Sequence, residues 1–306
     1  MRLTLILQEK NMGKEENIII FEDTVEKCRD IPKLMDSIVA SRKGQQIVLE
    51  QDVFPCGKGH PRFQEPAQLV LSSQKSFEAA QKYRCNPEFA KSKICVLNFA
   101  SAMTPGGGVK HGSSAQEESL CRCSTLYFCL DEDILWQQFY LPHRNGLSSL
   151  HNDDLIYTPN VTVFKDDSPQ NKLLDEKDWY HVDVISCAAP NLHRYFGQLL
   201  KDLGEAEEPA ISAEHLFQIH TKRLSRILDV AVQQQVDVMI LGAFGCGAFM
   251  NDPVVVSKAM VQVAREYAQC FKVIEFPVFC RPRERENYEA FQQELATTLC
   301  VMGGDV

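Results

Sequence analysis

The residues that could do chemistry lie in two glycine-rich segments, each directly after an apolar run. The first run ends at Asn98, and the chain continues through Pro105 into three glycines and then to a Gln-Glu-Glu triplet at 116–118. Consecutive glycines permit backbone conformations closed to other residues and let amide groups approach a ligand closely. The carboxyl groups of Glu117 and Glu118 could donate a proton to a leaving oxygen or activate water.

The second segment reads MILGAFGCGAFMNDP and precedes a helix that we expect to begin near Asp252. A glycine-rich turn that leads into a helix commonly holds phosphate oxygens. Neither segment matches the dinucleotide fingerprint G-x-G-x-x-G, and the sequence contains no G-K-[ST] phosphate loop. Two glycine loops from separate strands would still suit a diphosphate that backbone amides clamp from both sides.

Each of these features also has an ordinary structural interpretation. The segment from Ser114 to Glu117 matches a capping box, in which Glu117 would bond back to the start of its own helix. Glycine runs mostly form turns, an asparagine after a strand is a common turn former, and Phe249 could belong to the core. Considered one at a time, the residues leave a purely structural role open.

Taken together, the motifs resemble those of a known enzyme family. The string N-F-A-S-A-x-x-P-G-G-G, followed after seven residues by Q-E-E, is similar to the signature of the poly(ADP-ribose) glycohydrolases of the shorter, microbial type. The string L-G-A-F-G-C-G-A-F-x-N-D-P resembles the loop that covers the diphosphate in that family. The strand at 184–189 and the closing F-P-V-F-C also resemble their counterparts, so the resemblance extends from about Thr24 to Leu299.

The resemblance implies a macrodomain-like α/β fold and hydrolysis of the ribose–ribose O-glycosidic bond in ADP-ribose polymers, starting from the chain end. By motif, Glu118 corresponds to the catalytic acid, and Glu117 to a catalytic-site residue that binds ribose hydroxyls. Asn98 would hold the same ribose, and Phe249 would pack on the adenosine-side ribose. The two loops would hold the diphosphate. The remaining predicted substrate-binding residues are Gly106, Gly107, Gly108, Gln116, Gly245, Cys246, Gly247 and Ala248.

Acid catalysis by the two glutamates is chemically consistent with this reaction. Glycosidic cleavage needs a proton for the leaving oxygen and stabilisation of an oxocarbenium-like centre. Neighbouring carboxylates repel, so one of the pair should hold its proton more tightly, and we expect that residue to be Glu118 despite the opposing effect of the helix N-terminus. After the ribose has departed, the same carboxylate can act as a base toward water.

Two other function classes would use the same fold. One is a macrodomain that binds terminal ADP-ribose without cutting it, and the other is a hydrolase that removes mono-ADP-ribose from proteins. Loss of either motif glutamate would favour the binding module, and both are present. A nicotinamide-dependent oxidoreductase is poorly supported because the sequence has no dinucleotide-binding unit that carries the acidic residue for the ribose.

The charge balance limits the partners that we expect. The 306 residues include 32 lysines and arginines against 41 acidic residues, a formal net charge of −9. Proteins that bind nucleic acid through a general charge field have the opposite sign. We therefore expect an ADP-ribose polymer or an ADP-ribosylated protein as the partner, and no direct DNA binding.

The cysteine pattern and hydropathy bear on location and metals. No apolar run approaches the roughly 20 residues of a membrane helix, so we expect no membrane association. Twelve scattered cysteines in a chain of this length favour a reducing, cytoplasmic location. The nearest approach to a metal motif is FPCGKGH, with Cys56 and His60, and no C-x-x-C pair occurs. We expect neither a metal nor a cofactor.

The elements that must position these residues alternate along the chain, as in an α/β fold with a mixed, largely parallel sheet flanked by helices. Near-continuous apolar runs, typical of strands covered on both faces, predict buried strands at 94–98, 183–187, 236–241 and 273–279. Apolar spacing predicts helices at 115–130, 213–234, 252–269 and 285–299.

Two segments are predicted to lie outside this regular alternation. Residues 1–65 are expected to form a helical accessory extension packed on a catalytic core of residues 66–306, within one compact unit. The helix of the extension is expected to begin at Asp23 or Thr24 and to break at Pro32. Residues 136–177 are polar and loop-rich, and YTPNVTVFKDD, residues 157–167, is predicted to be an inserted strand or hairpin.

Overall fold

A seven-stranded mixed sheet forms the centre of the computed structural model, which describes residues 2–53, 55–146, 148–193, 211–281 and 284–302. The strand order is β1-β4-β5-β3-β6-β7-β2. The strands are β1 (Gln46–Val48), β2 (Gln68–Ser72), β3 (Ile94–Phe99), β4 (Leu155–Val163), β5 (Tyr180–Cys187), β6 (Val238–Ile240) and β7 (Val273–Pro277).

Helices cover both faces of this sheet. The α-helices are α1 (Arg2–Asp30), α2 (Pro32–Lys43), α3 (Ser76–Arg84), α4 (Gln116–Cys123), α5 (Leu126–Leu130), α6 (Asp133–Leu135), α7 (Leu141–Gly146), α8 (Ala213–Gln233), α9 (Pro253–Glu266) and α10 (Glu286–Met302). Among the helices described, none is both long and apolar enough to cross a bilayer.

The pairing of β3 decides where the two glycine loops lie. This strand runs parallel to β5 on one side, with Asn98 opposite Ser186, and parallel to β6 on the other, with Val96 opposite Ile240. The loops that follow β3 and β6 therefore leave the same edge of the sheet from adjacent strands. The carboxyl edge of parallel strands is where open α/β sheets bind ligands.

The predicted buried strands are confirmed as β3, β5, β6 and β7, and their burial explains the apolar runs. Along β3, Cys95 and Leu97 belong to one hydrophobic cluster, and Ile94 and Val96 belong to a second cluster on the opposite face. A strand covered on both faces has no position for a solvated side chain, so the sequence is apolar throughout.

The predicted helix at 115–130 is wrong in one respect. It is divided into α4 and α5, because the backbone at Ser124 and Thr125 pairs with β4. The Thr125 amide donates to the Thr162 carbonyl over 3.0 Å. The predicted helices at 213–234, 252–269 and 285–299 are confirmed as α8, α9 and α10 with small shifts of their ends.

The start predicted for the first helix, at Asp23 or Thr24, is also wrong. Helix α1 begins at Arg2 and includes the apolar IIIF run. The predicted break is present, since Ile31 separates the helices and Pro32 is the first residue of α2, where a missing N–H costs nothing. The domain boundary at residue 65 stays a prediction, although β1, within the predicted extension, pairs antiparallel with β4.

The prediction of a polar, loop-rich segment at 136–177 is wrong for residues 136–146, whereas the strand predicted within the segment is confirmed as β4. The chain forms a π-helical turn at Trp136–Tyr140, then α7 and the nine-residue strand β4. This strand lies between β1 and β5 as an integral part of the sheet. The register shifts between Thr158 and Val161, where Asn160 has φ +53°. A bulge of this kind leaves an extra residue unpaired and bends the strand.

Candidate functional site

The exit of β3 and the first turn of α4 place the signature residues side by side. Asn98 ends the buried part of β3, and Glu117 and Glu118 lie in the first turn of α4. The exposed fractions are 0% for Asn98, 3% for Glu117 and 7% for Glu118. Two adjacent buried carboxyls have no routine structural purpose, because burial of a charge is costly unless it is paired or used.

Glu117 is held from both sides by hydrogen-bond donors. One carboxylate oxygen accepts from Asn98 Nδ2 at 3.2 Å, and the other accepts from the Ser101 amide at 2.7 Å. The residue before α4 is Ala115, which makes no side-chain cap. The capping-box interpretation of Glu117 is therefore wrong, because its side chain reaches the exit of β3 and not the start of its own helix.

Burial raises the pKa of Glu117 to about 8 from an ordinary value of 4.5. Repulsion from Glu118 acts in the same direction, while hydrogen bonds from Ser101, Asn98 and the Gly106 backbone oppose it. We expected the tighter proton binding at Glu118, whereas the pKa shown to be raised is that of Glu117. A carboxyl with this pKa is protonated at neutral pH, so the pair retains a proton for acid chemistry.

The raised pKa predicts a pH-dependent stability difference between the wild type and Glu117→Gln. The unfolded glutamate loses its proton near pH 4.5, and the folded one near pH 8. Between these two pH values the folded state binds more protons than the unfolded state. The free energy of unfolding of the wild type should therefore fall, relative to that of the variant, by about 1.4 kcal/mol for each unit that the pH rises. Denaturant unfolding of both proteins at several pH values measures the difference. Parallel profiles between pH 5 and pH 8 would show that folded Glu117 is ionised.

Glu118 has one occupied oxygen and one vacant acceptor. Its Oε1 accepts from the Gly108 amide at 2.9 Å. In the part of the chain that the structure describes, Glu118 Oε2 and Asn98 Oδ1 are buried and have no hydrogen-bond partner. Buried polar atoms are normally paired, and two unpartnered oxygens in one site indicate a ligand that brings its own polar groups.

The first glycine loop creates room for the carboxylates. Gly107 has φ +57°, and a Cβ atom there would lie 2.7 Å from Glu118 Oε1 and 3.0 Å from Glu117 Oε2. The Gly107 amide donates to the Thr104 carbonyl, and the Gly108 amide donates to Glu118. Diphosphate binding by Gly106, Gly107 and Gly108 stays a prediction, because all three glycines already use their backbone within the protein, Gly106 toward Glu117.

Gln116, predicted to bind substrate, uses its side chain for contacts within the protein. Its carboxamide oxygen accepts from the Phe99 amide at 2.9 Å. Its nitrogen donates to Ser76 Oγ at 3.1 Å and to the Leu97 carbonyl at 2.8 Å. Both N–H groups are therefore used to join α4 to β3 and α3, which makes Gln116 a positioning residue in this structure.

The second glycine loop, residues 245–249 after β6, has backbone amides that no described residue bonds. Among the described residues, no acceptor bonds the amides of Gly247, Ala248 or Phe249. The Cys246 amide donates to the Ala243 carbonyl at 3.2 Å, and burial raises the pKa of its thiol. Phe249 is half-buried, with its ring centroid 6.3 Å from that of His151. Successive free amides of this kind suit an anion.

Sequence reasoning missed several residues that shape the site. Ser186 accepts from Asn98 Nδ2 at 3.0 Å, and Arg144 donates from Nε to the Met103 carbonyl at 2.6 Å. Asn251 bonds the second loop, and its place in the N-D-P end of the motif was an available signal. Arg144 had no such signal. Within the described ranges, no group of three or more His, Cys, Asp or Glu residues could hold a metal ion.

Half of this chain matches a known protein family. A family model for the catalytic domain of microbial-type poly(ADP-ribose) glycohydrolases (PARGs) matches residues 14–166. The chain belongs to the microbial-type PARG family. The family resemblance of the sequence is therefore confirmed, and with it the class, since PARGs are glycoside hydrolases. A comparison with curated proteins found no match.

Solved PARG structures are similar over most of the chain. The PARG from Thermomonospora curvata has a TM-score of 0.76 and 26% identity, covering 92% of this chain and 99% of the other. A second structure of it, with the inhibitor ADP-HPD, has a TM-score of 0.75 and 26% identity over 91% and 99%. The PARG from Deinococcus radiodurans in complex with ADP-ribose has a TM-score of 0.71 and 29% identity over 85% and 97%. The expected macrodomain-like α/β fold is confirmed.

Proposed function

We propose that this PARG-family protein hydrolyses the ribose–ribose O-glycosidic bond of ADP-ribose polymers, with Glu118 as the catalytic acid and base. The observation that carries the assignment is the pair of buried, unpartnered acceptors, Glu118 Oε2 and Asn98 Oδ1, within the described site. A terminal ribose offers a hydroxyl donor to Asn98 Oδ1, and its glycosidic oxygen can accept the proton of Glu118 Oε2. The relatives from D. radiodurans and T. curvata contain ADP-ribose and ADP-HPD in their structures.

Substrate binding would use three parts of the site. Asn98 Oδ1 and Glu117 would bind hydroxyls of the terminal ribose. The amides of Gly247, Ala248 and Phe249, which bond no described residue, would bind the diphosphate. Because backbone N–H groups would then neutralise the charge of the diphosphate, no basic surface is needed. The Phe249 ring would pack on the adenosine-side ribose.

The reaction would proceed through one carboxyl group. Glu118 Oε2 donates its proton to the bridging oxygen as the bond from that oxygen to the ribose C1 breaks, and the bonding pair leaves with the oxygen. The ring oxygen shares its lone pair with C1 in an oxocarbenium-like transition state. A water molecule then attacks C1, and Glu118 takes a proton from it, which restores the acid.

Product analysis with two substrates tests this function against the alternatives. We expect free ADP-ribose from the polymer, with the chain shortened from its end. A pure binding module would release nothing from either substrate, and a mono-ADP-ribosyl hydrolase would release ADP-ribose from a singly modified protein but not from polymer. Either of those results would contradict the proposal.

The salt dependence of the binding affinity tests whether the protein contacts one ADP-ribose unit or a longer stretch of the polymer. Each cationic side chain that neutralises a phosphate adds about 0.7 to the slope of log affinity against log salt on a single strand. A site built from backbone amides on a chain of net charge −9 should give a shallow slope, similar for ADP-ribose and polymer. Affinities of Glu118→Gln for both ligands measure it. A steep slope seen only with polymer would reveal a basic track and favour cutting within chains.

We further propose an ADP-ribosylated protein or polymer as the physiological partner and a cytoplasmic location. The support for the location is the state of the cysteines, since the eleven cysteines whose side chains the structure describes are free thiols and most of them are buried. Free thiols are typical of a reducing compartment.

A further inference from the structure

The side chain of Asn251 joins both ends of the second glycine loop to the neighbouring strand exit. Its Nδ2 lies 2.7 Å from the Pro190 carbonyl, 3.1 Å from that of Gly245 and 3.2 Å from that of Phe249. The Asn251 amide also donates to the Gly245 carbonyl at 3.1 Å. The residue is only 2% exposed, so these bonds form in a nearly dry environment.

His220, on α8, holds the other end of the Asn251 carboxamide. Its Nε2 lies 2.8 Å from Asn251 Oδ1, and it is 1% exposed. Because the Asn251 nitrogen faces three carbonyls, the oxygen must face the imidazole, and Nε2 must therefore carry the hydrogen. Burial lowers the pKa of His220 to about 4, in agreement with a neutral ring.

The backbone of the loop is shaped around this pair. Gly245 has φ +84°, and a Cβ atom there would lie 2.7 Å from Ala189 Cβ and 3.1 Å from Asn251 Cγ. The half-exposed segment with the free amides lies between the two bonded points, Gly245 and Phe249. Its amides can converge on one anion only if those two points keep their separation.

We propose that Asn251 and His220 are positioning residues that pre-form the diphosphate-binding loop of this protein. His220 orients the Asn251 carboxamide, and the carboxamide holds Gly245 and Phe249 at the exit of β5. The cost of ordering the loop is then met during folding and not during binding, which raises ligand affinity. The inference rests on the proposed function, because it assigns these residues to ADP-ribose binding.

The first test is Asn251→Ala in the full chain. We expect the Kd for ADP-ribose, measured by calorimetry, to rise by about tenfold or more, as loss of one or two hydrogen bonds implies. The KM for polymer should rise in parallel, while kcat at saturation changes far less, because Glu118 is untouched. An unchanged Kd in folded protein would overturn the proposal.

The second test separates the two residues. His220→Leu removes the donor to Asn251 and should weaken ADP-ribose binding, whereas His220→Gln supplies an amide donor and should restore part of the affinity. Because His220 acts only through Asn251, the double variant His220→Leu/Asn251→Ala should bind ADP-ribose no more weakly than Asn251→Ala alone. Additive losses, or equal affinities for the leucine and glutamine variants, would contradict this. The His220 variants also provide the test if Asn251→Ala does not fold.

Asn171→Ala is the matched control. Asn171 is similarly buried, and its Nδ2 bonds Cys123 Sγ at 2.9 Å and the Asp166 carbonyl at 3.0 Å. This variant should lower the melting temperature without changing the Kd for ADP-ribose. The wild type measured alongside distinguishes the two claims. If the wild type and Asn251→Ala bind ADP-ribose equally well, the positioning role is wrong and the proposed function is unaffected. If the wild type does not bind ADP-ribose, the proposed function itself is refuted.

Discussion

Glu118→Gln is expected to reduce polymer hydrolysis by about 10²–10⁴-fold or more, the contribution typical of a general acid or base. The variant retains the shape of the side chain and an oxygen that can accept from the Gly108 amide, as Glu118 Oε1 does now. Its ADP-ribose affinity should therefore stay close to that of the wild type. Released ADP-ribose and calorimetric Kd measure the two effects separately.

Glu117→Gln is the matched control, one residue away in the same buried pair. Both carboxylate oxygens of Glu117 accept from donors, Asn98 Nδ2 and the Ser101 amide. A glutamine would turn an NH₂ group toward one of those donors, so it should weaken both binding and turnover. Wild-type turnover by Glu118→Gln would refute its role as the catalytic acid. If both variants lost turnover and kept ADP-ribose affinity to the same extent, the different roles assigned to Glu117 and Glu118 would be refuted.

Gly107→Val is expected to be the most damaging change in the first glycine loop. The new Cβ would lie 2.7 Å from Glu118 Oε1 and 3.0 Å from Glu117 Oε2, at a backbone with φ +57°. The side chain must displace both carboxylates, and a displacement of about 1 Å at a reacting group can cost about 10²-fold in rate. We expect turnover to fall by at least that factor and ADP-ribose binding to weaken, with a smaller loss of stability.

Gly59→Val provides the comparison, because a Cβ atom at Gly59 meets no atom within 4 Å. That variant should keep the turnover and affinity of the wild type. Thermal unfolding of both variants shows whether the loss at Gly107 comes from the site or from unfolding. A folded Gly107→Val protein with unchanged affinity and turnover would show that the glycine run is only a structural turn.

Much of the fold and the centre of the site could be predicted from local sequence. The strands β3, β5, β6 and β7 were recognisable because strands buried on both faces must be apolar throughout. The glutamate pair and the glycine loops were recognisable because their order along the chain is specific. Their roles in catalysis and binding stay proposals that the variants above test.

Other features depended on long-range contacts that no local pattern encodes. The position of β4 between β1 and β5 is set by its pairing with those strands, and the division between α4 and α5 follows from pairing with β4. A helix propensity is a weak preference, and tertiary pairing overrides it at such points.

The sequence by itself determined the family motif, the order of the elements and the neighbouring carboxyls at 117 and 118. Only the tertiary structure decided that Glu117 has a raised pKa, that the Gln116 carboxamide is fully used within the protein, and that His220 meets Asn251. A pKa shift of this kind follows mainly from desolvation, which depends on every element packed around the carboxyl. Hydrogen-bond partners distant in sequence likewise exist only once the sheet has brought their strands and helices together.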